Sequence, residues 1–536
     1  MMKVRAGRPA IVSAHGLVTS PHVLASQAGT EVLRDGGSAV DAAVTASAVL
    51  SVVYPHMTAL GGDAFWLTHD AKTRAVRYID GGGRAAARGT IGAFAQLGFA
   101  EVPHKGSLVG TLTVPGSVAS WTMAHAAYGR LPLKRCLENA IGHAREGFPV
   151  GERLAHWRQQ ARPELAKSPE AAAIFLKDEG PTLRQPELAR TLEAIADDGW
   201  YGFYDGEVAR ELVRYSQSAG GFFGRDDLLV QSARWGEPIK GTYRDVTIYE
   251  TPPPTQGFTV LQMLNLLEPF ELHKRPFLGP DTVHLMVQAK QLAYHDRDRY
   301  VGDPRFTDVP TERLISKGYA DDRRPMMDPN RALAWDSIPS YGSLAGDTVY
   351  VAAVDRAGNA ASLIHSVYGS FGAAVVAGRT GVLLQNRAAY FSLNRQSPNR
   401  LEPGKTPLHT LIASLAFRND RLWCALGCMG ADGQPQIHLQ IYSALIDHGL
   451  GIQQALDMPR FLSGRFAIGE ARDTLYVEGR FAPETIAELA RRGHVVERWG
   501  DWNERAGHAQ GITFDAATGR FAGGADPRSD GEAVGL

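Results

Sequence analysis

Apolar and polar positions change period several times along the chain, and the changes mark the elements. Val12 to Ser20 reads as a short strand and turn, and Pro21 to Leu33 has helical character up to Gly36-Gly37. Ala39 to Val53 is apolar on nearly every face, so it is predicted as a buried core helix with Ser38 as its cap. Its apolar run contains Thr and Ser and is too short to span a bilayer. Ala64 to Thr68 and Ala75 to Ile79 read as strands. The turn after them, Asp80-Gly81-Gly82-Gly83-Arg84, lacks the spacing of a phosphate cradle and fits a loop beside a substrate equally well.

Helices are expected from Pro115-Gly116-Ser117 to near Tyr128, over Leu131 to Glu146, and in several pieces between Glu152 and Asp198. Val246 to Glu250 reads as a strand, followed by a Pro-rich turn into an apolar helix, Phe258 to Leu267. Thr282 to Tyr300 reads as a long helix rich in His, Asp and Arg, expected to present a solvated face with i,i+4 charge pairs. Asp321 to Leu344 is polar and broken by Pro325, Pro329 and Pro339. It reads as an exposed linker, the kind of place where a chain is cut.

The linker leads to Thr348 to Asp355, small, β-branched and aromatic, which reads as a buried strand. Asn359 to Val367 reads as its partner, with turn chemistry at Asp355-Arg356-Ala357-Gly358-Asn359. Pairing Asp355 with Asn359 puts Thr348 opposite Ser366, where a second hydroxyl can orient the first; a one-residue slip would put Val367 there instead. A third strand is expected over Thr380 to Gln385. A threonine inside a chain is a poor nucleophile. At an N-terminus it carries its own base, an α-amine with a pKa of about 8. A cut between Asp347 and Thr348 would create that group; taken alone, the stretch also fits an ordinary strand threonine. Further on, strands over Leu411 to Phe417 and Leu422 to Leu426 lead through Gly427 to Gly433 into a helix, Pro435 to His448. Backbone N–H groups at such a turn can hold an oxyanion, with a plain glycine turn as the alternative.

Composition narrows the function classes. The chain has 536 residues, with 56 basic against 57 acidic side chains, so charge gives no reason to expect nucleic acid or an anionic membrane as partner. Three cysteines, Cys136, Cys424 and Cys428, make no disulfide framework and suit a reducing compartment; Cys424 and Cys428 are expected to be buried thiols rather than metal ligands. The first residues lack an apolar signal core, and a cytoplasmic protein is expected.

Several stretches together resemble the γ-glutamyltranspeptidase family. They are Gly36 to Ala43, Gly61-Gly62, Pro115-Gly116, Pro252-Pro253-Pro254, Tyr294 to Pro304, the run from Asp347-Thr348, Gly430 and Asp526-Pro527-Arg528, in the family's order over nearly the whole chain. The resemblance implies an α+β fold, the N-terminal-nucleophile hydrolase four-layer αββα sandwich. It implies a precursor that cuts itself into segments 1–347 and 348–536, which stay intertwined as a heterodimer, alone or paired again. Thr348 matches the family's catalytic threonine, and Ser366 its supporting hydroxyl. Gly430 and Ala431 match paired oxyanion-hole glycines, the second replaced by alanine. No metal or cofactor is implied.

Departures from the family pattern bear on the substrate. The family's key arginine falls on Gly82, with Arg84 close enough to compensate. Its amine-binding asparagine falls on Tyr368, its glutamine and aspartate on Arg387 and Tyr390, and its serine pair on His409-Thr410. A buried ammonium without a carboxylate is costly, so a zwitterionic glutamyl head should bind poorly. Arg387 and Arg84 suit an anionic substrate instead. Ser392 to Pro403 is short and is expected to lack the family's lid. The pattern resembles the acylase and oxamate amidohydrolase branch, which implies hydrolysis of a small acidic acyl amide through an acyl-enzyme. A true γ-glutamyltransferase or glutathione hydrolase is the first alternative, and an unprocessed binding protein the second.

Overall fold

The hairpin forms as the alternation of its residues demands. The computed structural model describes residues 7–177, 180–334, 346–464 and 473–536. In it, Asp347–Asp355 pairs antiparallel with Ala360–Tyr368, closed by the Asp355 N–H to Asn359 carbonyl bond of 3.0 Å. The Asp355 carboxylate also accepts from the N–H groups of Ala357 and Asn359, so the turn is set by side-chain chemistry.

This hairpin is the middle of a seven-stranded antiparallel sheet. Its order is Glu532–Gly535, Gly16–Ser20, Asp347–Asp355, Ala360–Tyr368, Asp63–His69, Val76–Gly81 and Arg234–Gly236. A second seven-stranded sheet runs Ile11–Ser13, Arg520–Ala525, Ala509–Asp515, Arg421–Cys428, Ala413–Arg418, Val246–Glu250 and Ile239–Tyr243. Strands from both sides of residue 347 are neighbours in each sheet, so the two stretches share one core.

Three apolar clusters define four layers. Phe65, Tyr350 and Ile364 of the first sheet meet Leu415, Ala425 and Ile512 of the second between the sheets. The alternate residues Val349, Val351 and Leu363 point the other way, against helices Ala39–Val53 and Ser117–Tyr128. On the far side, Ile248, Cys424 and Leu426 pack against Phe258–Leu267, Pro280–Tyr300 and Gln434–Ile446. This is the αββα sandwich. Helix Ala39–Val53 lies wholly buried, as its composition demands, and Ser38 with Asp41 forms a reciprocal capping box.

Two expectations are overturned. Helix Pro280–Tyr300 does not present a solvated face: Gln288, Lys290, Asp296 and Arg297 are all buried. Their partners are protein groups, such as the Ser463 carbonyl for Lys290 (2.6 Å) and the Asp328 carbonyl for Gln288 (2.6 Å). Thr380 to Gln385 is not a strand. Gly378 and Gly381 take positive φ (+54° and +69°), which breaks any ladder, and only single bridges from Leu383 to Val376 and Leu384 to Gly61 remain. Of the expected linker, Asp321 to Arg323 ends a helix, while Pro339 and Leu344 lie outside the described residues.

Candidate active site

The hairpin's open end carries Thr348. The expected register holds from Val354↔Ala360 to Val349↔His365, and then one extra residue enters the second strand, so that Asp347 pairs with Tyr368. This bulge lies at Ser366-Val367, opposite Thr348, and Tyr368 beyond it takes φ +77°. A β-carbon on Gly62 would collide with the Ser366 carbonyl, so the Gly61-Gly62 pair lets the neighbouring loop press against the bulge.

The strand runs unbroken through Asp347 and Thr348. Thr348 is buried. The Ser366 hydroxyl donates to the Asp347 carbonyl oxygen at 2.5 Å and accepts the Tyr368 N–H at 2.7 Å. The sequence reading aimed Ser366 at the Thr348 hydroxyl. In the uncut chain it is spent on the carbonyl beside it.

Strand Arg421–Cys428 is followed by Met429 and Gly430 (φ +143°), then Ala431 (φ +44°) opens a short helical turn, Ala431–Gly433. The Ala431 N–H, as the first of that turn, has no acceptor within it. Left-handed backbone costs alanine about 1–2 kcal/mol, and buried partners hold it there. Gln256 Nε2 donates to the carbonyls of Ala431 and Thr410, both at 2.9 Å, and Arg297 Nη1 fixes the Gln256 oxygen at 2.7 Å. Arg297 also pairs with the buried Asp432 carboxylate, and the Tyr294 hydroxyl donates to the Asp432 carbonyl. The polar residues of helix Pro280–Tyr300 are buried because they brace this loop. Arg297→Met removes the cation paired with the buried Asp432 carboxylate, so it is expected to lower unfolding free energy by about 3–5 kcal/mol, checked by denaturant titration.

A second group of side chains lies beside Tyr368. Arg387 is fully buried, with its guanidinium carbon 4.5 Å from the Tyr368 ring centre and 5.4 Å from that of Tyr390. Its Nη1 donates to the Thr410 hydroxyl at 3.0 Å, while Nε and Nη2 have no partner among the described residues. Burial pushes the Arg387 pKa down. Tyr390 donates its hydroxyl to Asp432 at 2.7 Å, which ties this group to the glycine loop. His409 Nε2 lies 2.9 Å from Asp63, whose other oxygen accepts from Gly83 and Gly116 N–H and from Gln385. Burial pushes the His409 pKa well down and lifts that of Asp63 to about 7.

Thr348, Ser366, Tyr368, Gly430 and Ala431 are thus gathered around the Asp347 peptide, and Arg387, Tyr390, Thr410 and His409 adjoin them. Arg84 is not brought in: its guanidinium donates to the Val230 and Ser232 carbonyls, each at 3.2 Å. The compensation expected of it for the arginine replaced by Gly82 is absent from this arrangement.

Comparison with known proteins gives the lineage. A gamma-glutamyltranspeptidase profile matches residues 25–536. The chain belongs to the γ-glutamyltranspeptidase family. Within it, the chain is 40% identical over 532 residues to the glutathione hydrolase-like YwrD proenzyme of Bacillus subtilis, covering 98% of this chain and 99% of that one. It is 38% identical to the oxamate amidohydrolase proenzyme of Klebsiella pneumoniae, with the same coverage. The crystal structure of cephalosporin acylase from Bacillus halodurans superposes with a TM-score of 0.92 at 33% identity, over 100% of this chain and 98% of that one. The similarity therefore includes the acylase and oxamate amidohydrolase side of the γ-glutamyltranspeptidase family. Among the described residues, no helix is long and apolar enough to cross a membrane.

Sequence reasoning passed over several residues of this family member's site. Glu504 and Asp347 line the same cleft; burial opposes the charge of Glu504, but His508, Arg153 and Trp157 hold it at about 2. Lys105, anchored on the Ser370 carbonyl at 2.9 Å, is the charge that most favours ionising Asp347, which burial lifts to about 8. Neither sits in a motif. Arg297 does, in Tyr294 to Pro304, where its burial was the missing information.

Proposed function

We propose that the protein is an autoprocessing amidohydrolase with Thr348 as nucleophile, acting on a small acyl amide that carries negative charge. In the precursor, the Thr348 hydroxyl attacks the Asp347 carbonyl carbon, which Ser366 polarises by its hydrogen bond. Acyl transfer from nitrogen to oxygen gives an ester. Water cleaves it, leaving Asp347 with a carboxylate and Thr348 with a free α-amine. Segments 1–347 and 348–536 remain joined as a heterodimer through the shared sheets.

In turnover, the α-amine takes the hydroxyl proton as Thr348 attacks the substrate carbonyl. The N–H groups of Gly430 and Ala431 hold the oxyanion. The C–N bond breaks, the leaving nitrogen takes the proton from the α-ammonium, and water then releases the acid. Every step uses groups of this chain and water.

Arg387 carries the substrate reading. A fully buried guanidinium with its Nε and Nη2 unpartnered among the described residues is shaped for a carboxylate held by two parallel bonds. Tyr368 and Tyr390 beside it supply no carboxylate for an ammonium. The similarity to an oxamate amidohydrolase and an acylase points the same way. A panel of amides tests it, with oxamate, glutaryl and γ-glutamyl compounds side by side on processed protein. Anionic amides without an ammonium should turn over best. Arg387→Met should lower their kcat/KM roughly 100-fold while leaving processing intact. Preferred turnover of glutathione would replace this reading with the glutathione hydrolase one, which the name of the Bacillus subtilis relative favours.

A further inference from the structure

Three helix ends meet behind the turn end of the hairpin, where the Arg130 side chain pairs with Asp355. Asp41 lies in the first turn of helix Ala39–Val53, His125 in the last turn of Ser117–Tyr128, and Cys136 near the start of Leu133–Glu146. One ligand atom from each of the three lies within 4.8 Å of the other two. Asp41 Oδ1 is 3.6 Å from His125 Nε2 and 3.7 Å from Cys136 Sγ.

The two oxygens of Asp41 are used unequally. Oδ2 accepts the N–H groups of Ser38 at 2.8 Å, Arg130 at 2.8 Å and Leu131 at 3.3 Å, and the Ser38 hydroxyl at 3.1 Å. Oδ1 faces the thiol and the imidazole alone among the described residues. Asp41 and Cys136 are fully buried, and no lysine or arginine side chain pairs with Asp41 among the described residues. A buried carboxylate without a cation is costly. Oxygen, nitrogen and sulfur donors are therefore turned toward one another around a place that lacks positive charge. The His125 side chain is 19% exposed, which gives that place a path to solvent.

The donor set selects the cation. Tetrahedral bonds of about 2.0–2.3 Å put ligand atoms about 3.3–3.7 Å apart, which matches the separations of Oδ1 from its two neighbours. The Leu131 carbonyl, 2.8 Å from His125 Nε2, is in reach as a further oxygen donor. Calcium and magnesium take oxygen ligands, whereas thiolate, imidazole and carboxylate together suit zinc. We propose that Asp41, His125 and Cys136 hold a structural zinc ion, with the Leu131 carbonyl as fourth ligand. The ion takes the place of the hydrogen between His125 Nε2 and that carbonyl, and the imidazole then carries its proton on Nδ1. Coordination releases the thiol proton to solvent. Thiolate and carboxylate balance the two positive charges. The ion joins three helix ends in the layer against which Val349 and Val351 pack, and it takes no part in the reaction.

The test uses the full-length wild-type protein, stripped with a chelator and titrated with zinc chloride. One equivalent should bind and raise Tm by several degrees, while magnesium chloride does neither. Cobalt(II) should give the near-ultraviolet charge-transfer band of a thiolate ligand. Cys136→Ala and His125→Gln should each lower zinc affinity at least about 100-fold, the upper range for losing even an outer-shell partner. Failure of the wild type to bind one equivalent, a cobalt spectrum without the thiolate band, or undiminished binding by Cys136→Ala overturns the proposal. Should the variants fail to fold, the wild-type cobalt spectrum decides alone. Cys424 and Cys428 lie buried in the core behind the second sheet and belong to no such group among the described residues.

Discussion

Thr348→Ala is expected to leave a single uncut chain with at least about 10⁴-fold less amidase activity. The two losses have one cause. In the proposed mechanism the hydroxyl that opens the Asp347 peptide is the hydroxyl that later attacks the substrate, and no neighbouring group among the described residues is placed to replace it. Ser366 is occupied by the Asp347 carbonyl, and all three cysteines are buried with thiol pKa values raised by burial, Cys136 and Cys424 to about 12. Thr348→Ser keeps the hydroxyl and should process. A denaturing gel and an oxamate assay read both effects. Activity in uncut Thr348→Ala protein would remove Thr348 from the mechanism.

Ser366→Ala should slow processing by about 10²–10³-fold, the usual cost of removing one donor to a developing oxyanion. The bulge makes this effect large. It turns the Ser366 hydroxyl onto the scissile carbonyl at 2.5 Å and holds it there through the Tyr368 N–H. Ser366→Thr retains the donor and should process near the normal rate. The time course of uncut band on a gel measures the difference. Processing of Ser366→Ala at the wild-type rate would show that the bond serves only to position the strand.

The hairpin was legible because period and turn chemistry agreed: alternating small and β-branched residues flank an Asp-to-Asn turn, so the register followed by counting. The bulge at Ser366-Val367 was not, since an inserted residue leaves no mark on the apolar pattern. Helix Pro280–Tyr300 was misread for a general reason. A charged residue reads as solvated unless its partner is known, and Asp432 lies far along the chain from Arg297. The run Thr380 to Gln385 was expected as a strand, but Gly381 within it and Gly378 before it take positive φ and deny it a ladder.

The site divides in the same way. Thr348, Ser366 and the glycine loop were located by their order along the chain, and the fold gathers them. Arg84 failed because proximity in sequence to Gly82 says nothing about side-chain direction, and two carbonyls claim its guanidinium. Trp157, Glu504 and Lys105 come from loops and a short helix with no recurring spacing, so only tertiary structure brings them to the bond.

The central claim is that Thr348 becomes an N-terminus and that this makes the protein active. Intact-mass measurement of the active, purified protein under denaturing conditions tests it most directly. The account predicts one species whose mass is that of residues 348–536 with a free N-terminal threonine, and a second ending at Asp347. Full activity from a chain that is uncut, or cut at any other bond, would contradict it.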